Sequence, residues 1–167
     1  MKIEAHITKK DLINLSCYFF PRNRGTWIYF MVLFLGMFVF LSYKDGFTFF
    51  TKSTLIGVVS SFIGALVATL IAWLWNLGCI LLMSNSKSGV LGKHEYVITE
   101  EGLSESTEAN EALIKWSGID NVKINKNYIL VRVNQYLFHM LPRRSFSSLA
   151  KYEEFGNILS SRVGENA

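Results

Sequence analysis

The residues best suited to chemistry lie at His139–Phe146, "HMLPRRSF", where a proline and two adjacent arginines follow an alternating apolar run. Paired guanidiniums in such a corner can grip a phosphate or a carboxylate through parallel N–H donors. Arg143 and Arg144 are therefore the candidate anion or lipid-headgroup contact. Two other roles suit them equally: pairing with acids such as Glu153 or Glu154, or standing solvated where a strand turns into a helix. Pro142 ends the strand because it cannot donate to a ladder, and Ser145 or Ser147 can cap the helix that follows. Two cations at the positive end of a helix dipole are unfavourable unless an anion or acid is near.

Little else offers a reaction. His6, His94 and His139 are far apart in sequence, and a lone histidine on a strand is more often packed or solvated than catalytic. The acids Glu100, Glu101, Glu105, Glu108 and Glu111 fall in one hairpin and read as a solvated turn. Ser104, Ser106 and Thr107 have no GxSxG elbow around them, and the chain has neither a P-loop nor a GxGxxG run. No CxxC or histidine-rich spacing suggests a metal, and Cys17 and Cys79 fall in apolar surroundings that do not call for a disulfide. The expectation is a protein without catalytic residues, metal or cofactor.

The elements that hold the arginine corner follow from hydropathy. Of the 167 residues, 50% are hydrophobic. Thr26–Tyr43 and Ser53–Met83 carry no charge at all. As a helix the first run is roughly 27 Å long, close to the roughly 30 Å hydrocarbon core of a bilayer. The pattern predicts spans over about 26–43 and 54–75, with the second helix continuing to 83. Trp27, Trp73 and Trp75 would be the interfacial anchors. Ser60, Gly64 and Ala68 recur every four residues, and Gly57–Ser61 and Ala65–Thr69 flank them, giving a candidate helix-packing face. It can serve the first span of the same molecule or a second copy. Neither span holds an ionisable group, so an ion pathway has no support.

Lys9, Lys10, Arg22, Arg24, Lys87 and Lys93 flank the spans, against Lys44 and Lys52 between them. The positive-inside rule places both termini in the cytoplasm and "KDGFTFFTK" outside, which predicts a multi-pass protein of the inner (plasma) membrane. Residues 84–167 hold ten basic and ten acidic side chains, so the formal charge of +4 belongs to the N-terminal part. That distribution suits anionic lipid and disfavours nucleic acid, which calls for a concentrated basic face.

Ile3, Ala5 and Ile7 alternate as a short strand, and Thr8 with Asp11 resembles a capping box opening an amphipathic helix that stops at Pro21. Residues 1–24 thus form an N-terminal strand and helix, 25–83 the hairpin, 84–93 a Ser/Gly linker and 94–167 a second domain. In that domain short strands separated by turns run from Glu95 to Leu141, and Leu149, Tyr152, Phe155, Ile158, Leu159 and Val163 follow at helical spacing. The fold class is α+β: a two-helix transmembrane hairpin plus a cytoplasmic antiparallel sheet or half-barrel capped by a C-terminal helix. A strand at the N-terminus needs a partner, and the only sheet is downstream.

The pieces "YVITEEGL", "IKWSGIDNVKINKNYILV" and above all "FHMLPRRSF" resemble the YcxB-like family of bacterial membrane proteins. The likeness is detailed over roughly residues 92–146. The resemblance implies a pleckstrin-homology-like (PH-like) barrel and transfers no catalytic residue. Two function classes remain. One is a membrane-anchored, non-catalytic binding or regulatory module, whose partner is a lipid headgroup, a protein segment or a second copy. The other is an immunity-type protein neutralising a toxin at the inner membrane, which small size and a hairpin anchor permit.

Overall fold

A computed structural model describes residues 1–44, 46–47, 51–85, 89–134 and 137–164. Parts of the expected external loop and of the Ser/Gly linker, together with Gln135 and Tyr136, lie outside the described residues. In chain order the elements are β1 (Lys2–Ile7), α1 (Lys9–Phe19), α2 (Arg24–Lys44), α3 (Lys52–Met83), β2 (Gly92–Ile98), β3 (Gly102–Thr107), β4 (Glu111–Lys115), β5 (Asn121–Ile124), β6 (Tyr128–Arg132), β7 (Phe138–Pro142) and α4 (Leu149–Gly164). The chain divides into two compact units: Met1–Asp11 with Ser84–Ala167, and Leu12–Met83.

The first unit holds two antiparallel sheets, ordered β1-β2-β3-β4 and β5-β6-β7. The N-terminal strand finds its partner in β2, with Ala5 opposite His94 and Ile3 opposite Tyr96. Period-two alternation fixes that register, because it sends Ala5 and Ile7 into the core and leaves the polar neighbours outside. On the outer face Lys2 meets Glu95 and Lys93 meets Glu4, each at 2.7 Å. The core comprises Tyr96, Leu103, Ile129, Val131 and Leu141 from the strands with Tyr152, Phe155 and Leu159 from α4.

Helix α4 closes the second sheet. Gly156 brings its backbone against Ile124 and Ile129, where a β-carbon would collide with Ile124. The Tyr152 hydroxyl donates to the Asn125 carbonyl at 2.6 Å. The N-terminus of α4 is capped by Ser148, whose Oγ accepts from the Lys151 amide at 3.2 Å. Ser145 was one expected cap, but it is spent in a 3-10 turn over Arg143–Ser145, which delays the helix start to Leu149.

In the second unit α2 and α3 pack as a hairpin. Phe30 and Phe34 of α2 meet Phe62 of α3 edge-on, with centroids 5.4 and 6.3 Å apart. The small residues buried in α3 are Ser61, Ala65 and Thr69. Gly64 and Ala68 are half-buried and Ser60 is exposed. Gly64 lies under Met37 of α2, where a β-carbon would collide with the Met37 side chain. Thr69 returns its hydroxyl to the Ala65 carbonyl at 2.7 Å, which removes an orphan donor from an apolar setting. The most apolar window of α2 is only 6% buried and that of α3 17%. Both helices are long and apolar enough to cross a membrane.

Candidate functional site

The arginine corner resolves into two unlike residues. Arg144 grips Asp11 with both terminal nitrogens, Nη1 to Oδ1 at 2.6 Å and Nη2 to Oδ2 at 2.5 Å. Nη2 also donates to the His6 carbonyl at 2.8 Å. The partner is therefore an acid at the start of α1 rather than Glu153 or Glu154 of α4. Asp11 is 1% exposed while the Arg144 side chain is 51% exposed, so the carboxylate is the buried half of the pair.

Local structure prepares Asp11 for this. One half of the expected capping box forms, with the Thr8 amide donating to Oδ2 at 2.8 Å; the Thr8 hydroxyl donates to the same oxygen at 2.7 Å, and the Asp11 amide bonds the Thr8 carbonyl at 3.0 Å instead of that hydroxyl. The Tyr128 hydroxyl adds a bond to Oδ1 at 3.1 Å. Burial alone would raise the Asp11 pKa; the bonds from Arg144 and Thr8 outweigh it and bring the pKa down to about 2. The carboxylate thus ties the N-terminal segment of the first unit, β1 through Asp11, to β6 and to the turn after β7. Arg143 is half-buried, and its charge acts on the Tyr152 hydroxyl of α4.

A second cluster escapes sequence reasoning. Glu105 of β3 lies between two imidazoles, accepting from His94 Nδ1 of β2 at Oε1 and from His139 Nδ1 of β7 at Oε2, each at 3.0 Å. The Tyr96 hydroxyl donates to the same carboxylate. The acid expected on a solvated turn is instead largely buried. Burial pushes the Glu105 pKa up, but the bonds from His139 and His94 hold it well below the ordinary carboxylate range. Tyr96 is pushed far the other way by burial and by the Glu105 charge. With Nδ1–H aimed at Glu105, both Nε2 atoms are left buried and without a partner among the described residues. Such a carboxylate–imidazole arrangement can orient rings and hold a proton. It joins the first sheet to the second. The one signal in the sequence was the period-two placing of His94 and Tyr96 on one face of β2; the approach of β7 was not legible.

Among the described residues no group of three or more His, Cys, Asp or Glu could hold a metal ion. The hairpin unit carries a groove of about 350 Å³ lined by Ser16, Phe20, Thr26, Tyr29, Trp73 and Asn76 among others, none of them charged. Trp73 is held there by its Nε1–H donating to Ser16 Oγ at 3.0 Å and by the Phe20 ring at 4.8 Å. Trp27 donates to the Pro21 carbonyl at 3.0 Å. Both Trp27 and Trp75 are exposed.

Two antiparallel sheets closed by a terminal helix, with an apolar helical hairpin inserted after the first strand, define an α+β protein with an interrupted sheet domain. The family model described as YcxB-like protein matches residues 98–159, so the C-terminal part of the chain carries a YcxB-like domain. The match runs from the end of β2 into α4 and contains Arg144 but not its partner Asp11. No curated protein and no solved structure matches the chain.

Proposed function

We propose that this protein is a membrane-anchored, non-catalytic binding or regulatory module of the bacterial inner membrane, with a PH-like half-barrel on the cytoplasmic side. The observation that carries the reading is the exposed apolar surface of α2 and α3, whose most apolar windows are 6% and 17% buried. Water does not tolerate so large a contiguous apolar surface, whereas a bilayer takes it as solvent. The pairing of β1 with β2 supports an even number of crossings, because the chain leaves the sheet unit before α2 and rejoins it after α3. Seven described strands in a four-plus-three division, closed by α4, support the half-barrel. The excess of Lys and Arg on the flanks supports the cytoplasmic assignment.

The test is fractionation followed by cysteine labelling in a background lacking Cys17 and Cys79. Membranes washed with alkaline carbonate should retain the protein. An impermeant maleimide applied to spheroplasts should label Phe47→Cys and spare Lys126→Cys until the cells are opened. Recovery in the supernatant would remove the anchor, and the reverse labelling pattern would invert the topology.

A further inference from the structure

Strand β4 is an edge of the first sheet: its only ladder partner among the described residues is β3. The phase of that ladder tells which peptide groups are spent. Asn110 accepts from the Thr107 amide at 2.9 Å and the Trp116 amide donates to Glu101 at 3.3 Å. Even-numbered positions from 110 to 116 therefore turn their peptide groups inward, and Glu111, Leu113 and Lys115 turn theirs to the open side. The same three side chains share one face by the period of two, and all three are exposed. Leu113, at the centre, is 46% exposed although it is a large apolar residue.

The order of these residues, Glu111-Ala112-Leu113-Ile114-Lys115, is complementary to itself when reversed. We propose that β4 is a self-pairing edge, and that its partner is β4 of a second copy of this chain, antiparallel about a two-fold axis through Leu113. In that register Glu111 stands opposite Lys115 of the second copy, Lys115 opposite its Glu111, and the two Leu113 side chains pack on each other. Three facing pairs exchange about six backbone hydrogen bonds, two per pair. Opposite charges directly across an antiparallel pair are favourable and like charges unfavourable, so the pattern selects this register over a parallel one or a slip by two. The contact is self-complementary and closes at two copies. A five-residue strand pair buries far less than the roughly 1,000 Å² of a stable interface, so the dimer is weak and depends on concentration. The inference stands on the strand edge alone and does not depend on where the hairpin resides.

Disulfide trapping in the full chain tests it, with Cys17→Ser and Cys79→Ser, both in native membranes and in detergent micelles. Facing residues of a hydrogen-bonded pair have Cα atoms about 5.5 Å apart, within disulfide range. Leu113→Cys should give a linked dimer under mild oxidant, and Lys126→Cys, exposed in the turn between β5 and β6, should not. Mixing Glu111→Cys protein with Lys115→Cys protein should give the crossed dimer, and this serves also if Leu113→Cys folds poorly. Glu111→Lys should lower the Leu113→Cys yield about tenfold by turning two attractions into repulsions, and adding Lys115→Glu should restore it. Equal trapping at positions 113 and 126, indifference to Glu111→Lys, or capture of position 113 by a different chain with no homodimer would each overturn the proposal.

Discussion

Cutting the Asp11–Arg144 pair should loosen two remote segments together. Asp11 accepts five hydrogen bonds: from the Thr8 amide and hydroxyl, the Tyr128 hydroxyl and two nitrogens of Arg144. Arg144→Met removes the two bonds to the carboxylate and the third to the His6 carbonyl, and leaves a carboxylate that is 1% exposed without its counter-ion. Breaking a fully buried pair costs about 3–5 kcal/mol. Arg144 is half in water, so the expectation falls to about 2–3 kcal/mol. Asp11→Asn keeps the shape but turns an amide donor toward other donors, at about 2 kcal/mol. Because both changes break one interaction, the double variant should cost less than their sum by about 1–2 kcal/mol. Hydrogen exchange of the full chain in micelles reads this directly. A loss of 2–3 kcal/mol speeds exchange of peptides covering β1 and β7 by about 30–150-fold, if opening of this region is what exposes those amides.

The pH dependence has a definite sign. The folded pKa of Asp11 is about 2 against an ordinary 3.8, so its stabilisation, roughly 2 kcal/mol, is fully present above pH 3.8 and is lost as the pH falls through 2. In Arg144→Met, burial is opposed by fewer bonds, so protection should begin to fall at a higher pH than in the parent. Additive single-variant effects, or exchange in β1 unchanged within about twofold, would refute the account of Asp11 as the tie between the chain's two ends.

Glu105→Gln leaves one of the two imidazoles facing an amide NH2 and should destabilise the sheet unit by about 2 kcal/mol. The parent should lose the Glu105 contribution as the pH falls from its ordinary 4.5 toward its depressed value, and melting curves of the variant should lack that slope. Gly102→Ala would drive a β-carbon onto the Ile114 carbonyl in the β3–β4 ladder, and should lower the melting temperature by the equivalent of about 2–3 kcal/mol. Tyr152→Phe loses the bond to the Asn125 carbonyl and should cost about 1 kcal/mol, seen as a modest fall in melting temperature with the same fold by circular dichroism.

What was legible in the sequence was local. The charge-free runs gave α2 and α3, and Thr8 with Asp11 gave the start of α1, because capping and hydropathy are written within a few residues of each other; the small residues buried in α3 are Ser61, Ala65 and Thr69, one position on from the Ser60, Gly64 and Ala68 row. The partners of Arg144 and Glu105 were not legible. Asp11 lies 133 residues from Arg144, and His139 reaches Glu105 only because the second sheet brings β7 against the first. Such meetings depend on strand register and on how two sheets close, which no short window of residue types contains. Asp11 was visible as a capping residue, and that first role concealed the second.

The interruption between β1 and β2 has a consequence for biogenesis. The opening strand leaves the ribosome long before the strand it must lie beside, with both apolar helices made in between. For a hairpin in lipid, an error in which only one helix threads through would strand Lys2–Ile7 on the far side from its mate. Sheet closure would then be impossible, leaving exposed edges that quality-control proteases recognise. The domain's folding would therefore act as a checkpoint on insertion, passing only those molecules whose two ends return to one compartment.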